Sequence, residues 1–570
     1  MNCETDQPDE LEYGEAPFIP RLPASEAIGM AVFRKLGLVE LFDSELTRNR
    51  MVSPGRRAML MVGTSCRTEK RERLCNISDH YRYAPLDRLM GGSFPTSALS
   101  GEAFGDFLDD LYDADPCRMY CHIASKVRAY LKIRSYVYNI DFSNTTILST
   151  ETEHRSVTVP EDAHHNMFGK SKEGRDDCVQ INYSAMVDSE GFVNYLQYHD
   201  GNTADCSMMG YVLDFIERTM SDENLVLVAD CKMVNLSILD RIEWENNYFV
   251  SKCPESFSEH VRDRVVARSI SEGVFTEVGS FSKRRKAPIF EACEFRERLE
   301  NGDSCRFIAF RECNRPHSYS FLKKDGMRRW EKACSGVSRR HYGTLEAAQE
   351  EARRITDAMS DTAYAVSVDI EELTKPGKRG RRGRPSSDDP VPEPIRYWKI
   401  RPRCEFDEEL AEGISTSSDI RVIITNLPES EIENEDPREG ATIAQVMRIY
   451  FGQWKIEKSF ADMKSRVGAD RLFVHNENRQ EALLTVIGVS VLIRGVIQYT
   501  IRSRLPELSG RFPTMTIQRI FRAMQNVNVM EMDVGGRTTV LLDGPPDERE
   551  LVKAVAEALD LKPADLVCRR

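Results

Sequence analysis

Three acidic residues stand where chemistry could be done. Asp141 closes the apolar run YVYNI and Asp230 closes LVLVA. An acid at the carboxyl end of a buried strand sits at the edge of a sheet, where a ligand can reach it. Taken alone, each reads first as a turn residue that ends a strand. The third, Glu457, lies in IAQVMRIYFGQWKIEKSFADMKSRV. At about 100° per residue with Tyr450 as zero, Gln453 falls near roughly 300°, Glu457 near 340° and Lys464 near 320°, so the four share one stripe. Ile449, Ile456, Phe460 and Met463 flank it on one side, and Met447, Phe451 and Trp454 on the other. An ordinary amphipathic helix has one apolar face, whereas this pattern has two with a polar slot between them. The slot also reads as an exposed polar row on a helix packed from both sides.

Two Asp and one Glu, unaccompanied by His or Cys, form a hard-oxygen set suited to Mg²⁺ or Mn²⁺ and poor for zinc. Three carboxylates can hold two such ions about 3.5 to 4 Å apart, one activating a water or 3′-hydroxyl and the other stabilising the leaving oxygen of an in-line displacement at phosphorus. Lys464 lies two helical turns beyond Glu457, about 10 Å along the axis, within reach of a flanking phosphate. Tyr450 could make the same contact from the other side.

These residues need a sheet and a helix to position them, and the pattern along the chain supplies both. After an acidic tail over residues 1–23, apolar positions three and four apart in ASEAIGMAVFRKLGLVELF and GEAFGDFLDDLY predict an all-helical domain over 24–132. The period then changes. RSYVYNIDFSNTTI and the pair INYSAMVDSEGFVNYLQYH around a Ser-Glu-Gly turn read as strands, MMGYVLDFIERTM as a helix and ENLVLVAD as a further buried strand, an α/β pattern over 133–250. Residues 251–418 carry short strand candidates (GVFTEVG, CRFIAFREC, AYAVSVDIEE) around one helix, TLEAAQEEARRITDAM, and a basic, Pro-rich linker, KPGKRGRRGRPSSDDPVPEP. Residues 419–504 resume a buried strand, RVIITNLPE, and carry the Glu helix. The region 505–570 ends in a helix, a hairpin candidate at Gly535-Gly536 and a last helix from Asp547.

Composition sets the outer limits. The 570 residues are 41% hydrophobic and 30% charged, too apolar for a disordered chain and too charged for a membrane protein. The longest apolar run, ALLTVIGVSVLIRGVIQ, is broken by Arg494 and reads as a buried helix. The amino terminus lacks the features of a signal peptide, so export is not expected, and the fifteen cysteines read as reduced core thiols. The net charge of −13 argues against a polyanionic partner until its distribution is considered: Lys375 to Arg403 holds ten Lys and Arg against three Asp and Glu, a local +7 that leaves −20 elsewhere. Cys117, Cys121 and His122 lack a second ligand pair at zinc spacing, and no GxxxxGK[ST] loop supports nucleotide dependence.

The ordered set of motifs resembles the DDE transposases of bacterial and archaeal insertion sequences, in the group whose Glu helix carries a spaced Tyr, Arg, Glu, Lys signature. The matching stretches are DFSNTT with Asp141, GKSKEGRDDCVQ, GNTAD at Gly201 to Asp205, LVLVAD with Asp230, GRP at Gly383 to Pro385, VIITN, and YFGQWKIEKSFADMK with Tyr450, Glu457 and Lys464. One position departs: Gln453 stands where the signature has Arg, as in a similar branch with a Tyr-x-x-Gln helix, and this bears on any phosphate contact assigned there. RLFVH, ending at His475, is similar to the stretch that follows the family's Lys but lacks its Pro.

The resemblance implies an α/β catalytic core of ribonuclease-H-like type, a mixed sheet flanked by helices, made by residues 133–250 and 419–504. The helical domain would recognise DNA ends, and the β-rich region 251–418 would be an insertion. It implies metal-dependent cleavage at transposon ends and strand transfer into target DNA, with Asp141, Asp230 and Glu457 as catalytic residues and ligands of two Mg²⁺ or Mn²⁺ ions. The partners would be double-stranded DNA, as terminal inverted repeats and target, and a second copy of the chain, with no membrane and no nucleotide cofactor, in the cytoplasm at the nucleoid. Tyr450, Gln453, Lys464, Lys172 and Arg175 are the expected DNA contacts near the site. Lys172 and Arg175 read equally as ion-pair partners of Asp176 or Asp177. Lys378, Arg379, Arg381, Arg382 and Arg384 of the linker either follow phosphates or form a solvated linker. KRRK at Lys283 to Lys286 and the group Lys323, Lys324, Arg328, Arg329 with Trp330 are similar. Two other functions fit the same residues: a catalytically inactive, transposase-derived DNA-binding protein, and a ribonuclease-H-like structure-selective nuclease.

Overall fold

The computed structural model describes residues 19–567 except 47, 49, 148–166, 173, 175–177, 221–222, 259, 283–286, 314–318, 378–392, 470–471, 473, 475, 513–514 and 535–536. The chain forms two compact units, one of Met1–Ser251 with Ile449–Arg570 and one of Lys252–Arg448. The first boundary falls one residue from the expected 250/251. The second falls after Arg448 and not at 418/419, so the strand RVIIT, Arg421–Thr425, belongs to the second unit, where it pairs antiparallel with Ser304–Glu312.

In the first unit the amino-terminal helices are α1 (Ala24–Lys35), α2 (Leu38–Glu45), α3 (Pro54–Gly63), α4 (Gly101–Asp113) and α5 (Pro116–Leu131). Their starts follow local chemistry: the side chains of Ser53 and Asp115 cap α3 and α5, and Pro54 and Pro116 occupy the first turn, where a missing N–H costs nothing. The helices share one continuous apolar core with the sheet and with the carboxyl-terminal region. A short strand, Arg21–Pro23, pairs with the hairpin Asn528–Val534 and Arg537–Asp543, placing Leu22 opposite Val529.

The sheet of this unit comprises β1 (Val137–Thr146), β2 (Val179–Asp188), β3 (Val193–Asp200), β4 (Val226–Ala229) and β5 (Tyr248–Lys252), in spatial order β3-β2-β1-β4-β5. The first three are antiparallel neighbours; β4 and β5 add in parallel on the other side of β1. The parallel additions require crossovers, supplied by α6 (Asp205–Thr219) and α7 (Leu236–Trp244). The Ser-Glu-Gly turn between β2 and β3 is held by Asp188 Oδ1, which accepts from the Glu190 and Phe192 N–H groups, and by Gly191 at φ +92°. The fold is therefore mixed α/β.

Residues Trp454–Ala461 form α8 and Glu477–Arg504 form α9. The 28-residue α9 is long and apolar enough to cross a membrane by length and composition, yet 78% of its apolar window is buried within the protein. Leu483, Ile487, Ile493, Val496 and Ile497 are fully buried, each contributing about 1.5 to 3 kcal/mol. Arg494, which interrupts the apolar run, is buried too; its guanidinium donates to the Ser65 and Arg67 carbonyls and lies over the Phe521 ring at 5.1 Å.

The second unit holds an antiparallel group in the order 421–425, 304–312, 290–298, 276–279 and a separate ribbon in which Tyr364–Lys375 pairs with Ile395–Phe406. The expected single helix is present at Leu345–Asp357 but is accompanied by Val261–Ser271, Ser320–Ala333 and Glu408–Asp419. Ser320–Ala333 carries the Lys323, Lys324, Arg328, Arg329 group, and a solvated charged helix leaves little periodicity to read.

Candidate active site at the sheet edge

The pairing of β1 with β4 matches Val137 with Val226, Tyr138 with Leu227 and Asn139 with Val228. The ladder ends there: Asp141 lies two residues further along β1, and Asp230 directly follows the last residue of β4, so both acids lie just beyond the paired residues at the same end of adjacent parallel strands. Asp141 is half-buried and Asp230 is exposed. Asp141 does not end its strand as its apolar run suggested, being the fifth of ten residues in β1. The strand continues to Thr146, as the reading of RSYVYNIDFSNTTI as one strand expected, and stays paired with β2 from Tyr138 to Thr146. Asp230 does follow β4 directly and enters a short 3₁₀ turn, Cys231–Met233, while Ser251 Oγ donates to its carbonyl (3.1 Å).

Burial pushes the Asp141 carboxyl above its usual range. The ammonium of Lys172 and the N–H of Phe142, which donates to Oδ1 at 2.7 Å, act against the shift, while the charges of Asp230 and Asp205 add to it. Both lysines of the site gather here. Lys172 Nζ donates to the Phe142 carbonyl and stands 3.9 Å from the Asp205 carboxylate. Lys232, two residues past Asp230, forms an ion pair with the same Asp205. Burial pushes the Lys172 pKa down, and the charges of Lys232 and Lys464 lower it further against Asp141 and Asp205. Burial acts the same way on Lys232, but the Asp205 bond and the charges of Asp205, Asp141 and Asp230 outweigh it and its pKa rises.

A polar network fixes the segments carrying these groups. Lys172 N–H donates to Asn144 Oδ1 (3.1 Å), and Asn144 Nδ2 donates to Gln180 Oε1 (2.7 Å). Gln180 Nε2 donates to the Gly201 carbonyl (2.7 Å), and Asn182 Nδ2 donates to the carbonyls of Gly201 and Thr203 (both 3.1 Å). The loop of Lys172 and the start of α6, with Asp205 as its first residue, are thereby tied to β1 and β2. Gly201 is required for this approach, because a Cβ there would fall onto the Gln180 carbonyl and within 2.5 Å of the Met167 carbonyl.

The Glu457 segment is built differently from the single regular helix expected. Ile443–Tyr450 is α-helical, Phe451–Gln453 is a 3₁₀ turn, α8 follows, and Asp462–Val467 is a π-helical turn. A 3₁₀ turn advances by more than 100° per residue and a π turn by less, so the stripe through Tyr450, Gln453, Glu457 and Lys464 is not a straight row. Ile456, Phe460 and Met463 are buried, with Phe460 edge-on to Tyr183 at 5.4 Å. The other expected apolar face forms only in part: Met447 is buried and Phe451 half-buried, but Trp454 is 55% exposed. Glu457 is exposed, and among the described residues no three His, Cys, Asp or Glu side chains stand close enough to share a metal ion.

The segment meets β1 at Gly452, whose Cβ position is 4.0 Å from Asn139 Oδ1. That oxygen and the neighbouring Gln453 Nε2 are both buried without a hydrogen-bond partner among the described residues, one an acceptor and the other a donor. Tyr450 is half-buried against Phe451 at 5.6 Å, and Lys464 is also half-buried. Of the other expected contacts, Arg175, Lys378, Arg379, Arg381, Arg382 and Arg384, with KRRK at 283–286 and His475, lie outside the described residues.

The structure thus brings together Asp141, Asp230, Lys172 and Lys464, and adds Asp205, which the GNTAD motif had marked without a role, and Lys232, which no motif had marked. A family described as a domain of unknown function (DUF4277) matches residues 27–125, the helical amino-terminal region. No curated protein matches the chain.

Proposed function

We propose that this chain is a DDE-type transposase, with Asp141 and Asp230 at its chemical centre and Glu457 as the third carboxylate. The observation that carries this reading is that Asp141 on β1 and Asp230 directly after β4 lie at the same end of a parallel strand pair, close enough for the charge of Asp230 to act on Asp141. The mixed sheet with helical crossovers, β1 at its middle, supports a core of ribonuclease-H-like type. The donor set fits a hard cation: the charge of one carboxylate acts on the other, with no His or Cys among the charged groups that act on Asp141. Mg²⁺ or Mn²⁺ held by Asp141 and Asp230 would activate a water or 3′-hydroxyl and stabilise charge at phosphorus. The chain's own part is to hold the two carboxylates at one end of the strand pair, to draw the DNA backbone with Lys172, Lys232 and Lys464, and to bring Glu457 up on α8. The helices of the amino-terminal region would read the terminal inverted repeats, and pairing of two ends calls for two copies of the chain.

The test is cleavage of DNA carrying the ends that flank the reading frame. Asp230→Ala is expected to abolish Mg²⁺-dependent cleavage while end binding persists, and full cleavage by that variant sinks the assignment. Products joined to target DNA separate a transposase from a structure-selective nuclease. One observation favours a second reading, an inactive DNA-binding relative: Glu457 is exposed and, among the described residues, completes no three-carboxylate group. Absence of cleavage by the intact protein, with end binding retained, decides for it.

A further inference from the structure

Lys232 and Asp205 have no part in the three-carboxylate chemistry, yet they stand at its centre. Asp205 is in contact with two lysines: Lys232 is bonded to it, and Lys172 lies 3.9 Å away. Two ammonium groups thus meet at one carboxylate beside the sheet, and the charge of Lys464 on the Glu457 segment also acts on Lys172. Like charges held this close need an anion between them, and in the free protein Asp205 supplies it. Its own position suits an anion, since it opens the 15-residue α6, whose capping residue Ala204 has no side-chain oxygen to offer the first turn. The two partners are not equally held. Asp205 is only 17% exposed and is anchored through the Gly201 network, whereas the Lys232 side chain is 53% exposed on a flexible four-carbon stem. An exposed pair of this kind is worth little, so its exchange for another anion is close to neutral.

We propose that Asp205 is an internal stand-in for a nucleic-acid phosphodiester: it holds Lys232, and draws Lys172, beside Asp141 and Asp230 until a backbone phosphate takes its place, which makes Lys232 a phosphate-binding residue and Asp205 the competitor that gates it. The inference rests on the reading of Asp141 and Asp230 as a DNA-processing site. Lysine suits the task because its compact charge can leave one anion for another without the fixed two-pronged geometry of arginine.

The experiment measures binding of a fluorescent duplex to the full chain without divalent metal, over a salt series, with inorganic phosphate as a competitor. Lys232→Ala is expected to weaken binding and to reduce the slope of log affinity against log salt by about 1, the signature of one lost phosphate contact. Asp205→Asn is expected to tighten binding by about two- to fivefold, the size of an exposed ion pair removed from competition. In the Lys232→Ala background that gain should shrink towards none. An Asp205→Asn protein that melts as the wild type and binds no tighter overturns the proposal, as does an equal gain in both backgrounds. Should Asp205→Asn fail to fold, acylation of Lys232 in the wild-type chain decides: saturating duplex must protect it, and unchanged reactivity overturns the proposal. Inorganic phosphate that protects Lys232 as fully as the duplex at equal concentration contradicts a backbone site. Cleavage by Asp230→Ala tests the underlying reading independently, since a cleavage-inactive chain can still show the Asp205 and Lys232 coupling.

Discussion

The carboxylates of the candidate site sit on two kinds of support. Asp141 is carried within β1, whose register is fixed by a ladder and by a buried polar network, and Asp230 directly follows the laddered strand β4, whereas Glu457 is carried by a segment that passes from α to 3₁₀ to α to π within 25 residues, Ile443 to Val467. A ladder leaves a side chain few alternatives, because a one-residue slip would turn the whole strand over. A helix interrupted by 3₁₀ and π turns can rotate locally, and such interruptions recur at hinges and functional sites. The difference teaches where the site is preformed and where it has to be completed.

The largest expected effect is on the strand side. Asp141→Ala should lower end cleavage by about 10³-fold or more, roughly 4 kcal/mol in the barrier, measured in single-turnover assays. Glu457→Ala should lower cleavage as well, but its exposed side chain predicts a change in unfolding free energy within about 0.5 kcal/mol, read by denaturant titration. A large loss of stability there would erase the contrast between the two supports.

A buried carboxylate away from the site supplies the electrostatic control. Burial, reinforced by the charge of Asp115, pushes Glu481 of α9 from the ordinary 4.5 up to about 8. A raised carboxyl favours the folded state fully below pH 4.5 and loses that contribution as the pH rises through 8. Glu481→Gln should therefore flatten the fall in melting temperature across that window, by on the order of 3 to 5 kcal/mol at its alkaline end. Melting curves that keep the wild-type slope would contradict the burial argument.

Gly201→Ala should destabilise the protein by about 1 to 3 kcal/mol through overpacking against the Gln180 and Met167 carbonyls, and should loosen the loop of Lys172, measurable as faster amide exchange there. The smallest effect is at Asn139. Its Oδ1 is buried and unpaired among the described residues, so Asn139→Leu should leave stability unchanged or raise it by about 1 kcal/mol. The same change should lower cleavage if Gln453 Nε2 donates to that oxygen when α8 takes its working position. Lower stability with normal cleavage would give Asn139 a structural role alone.

How much of this was legible in the sequence follows the same division. Asp141 and Asp230 stood out because YVYNI and LVLVA are compact apolar runs, which strands buried on both faces produce. The extent of β1 was legible too, since RSYVYNIDFSNTTI reads as one strand across Val137–Thr146; what the apolar run misplaced was Asp141, which lies within that strand and not at its end. The stripe through Tyr450, Gln453, Glu457 and Lys464 assumed a uniform 100° per residue, and nothing in YFGQWKIEKS signals a 3₁₀ turn at Phe451–Gln453. Asp205 and Lys232 were hidden for a third reason. Their association is tertiary, created by the meeting of the α6 start with the turn after β4.

The most direct measurement is Mn²⁺ binding to the full chain, followed by electron paramagnetic resonance. If Asp141 and Asp230 share a cation, Asp141→Asn and Asp230→Asn should each remove the bound signal, and Glu457→Gln should weaken it less in the absence of DNA. Wild-type Mn²⁺ affinity in Asp141→Asn would contradict the shared site.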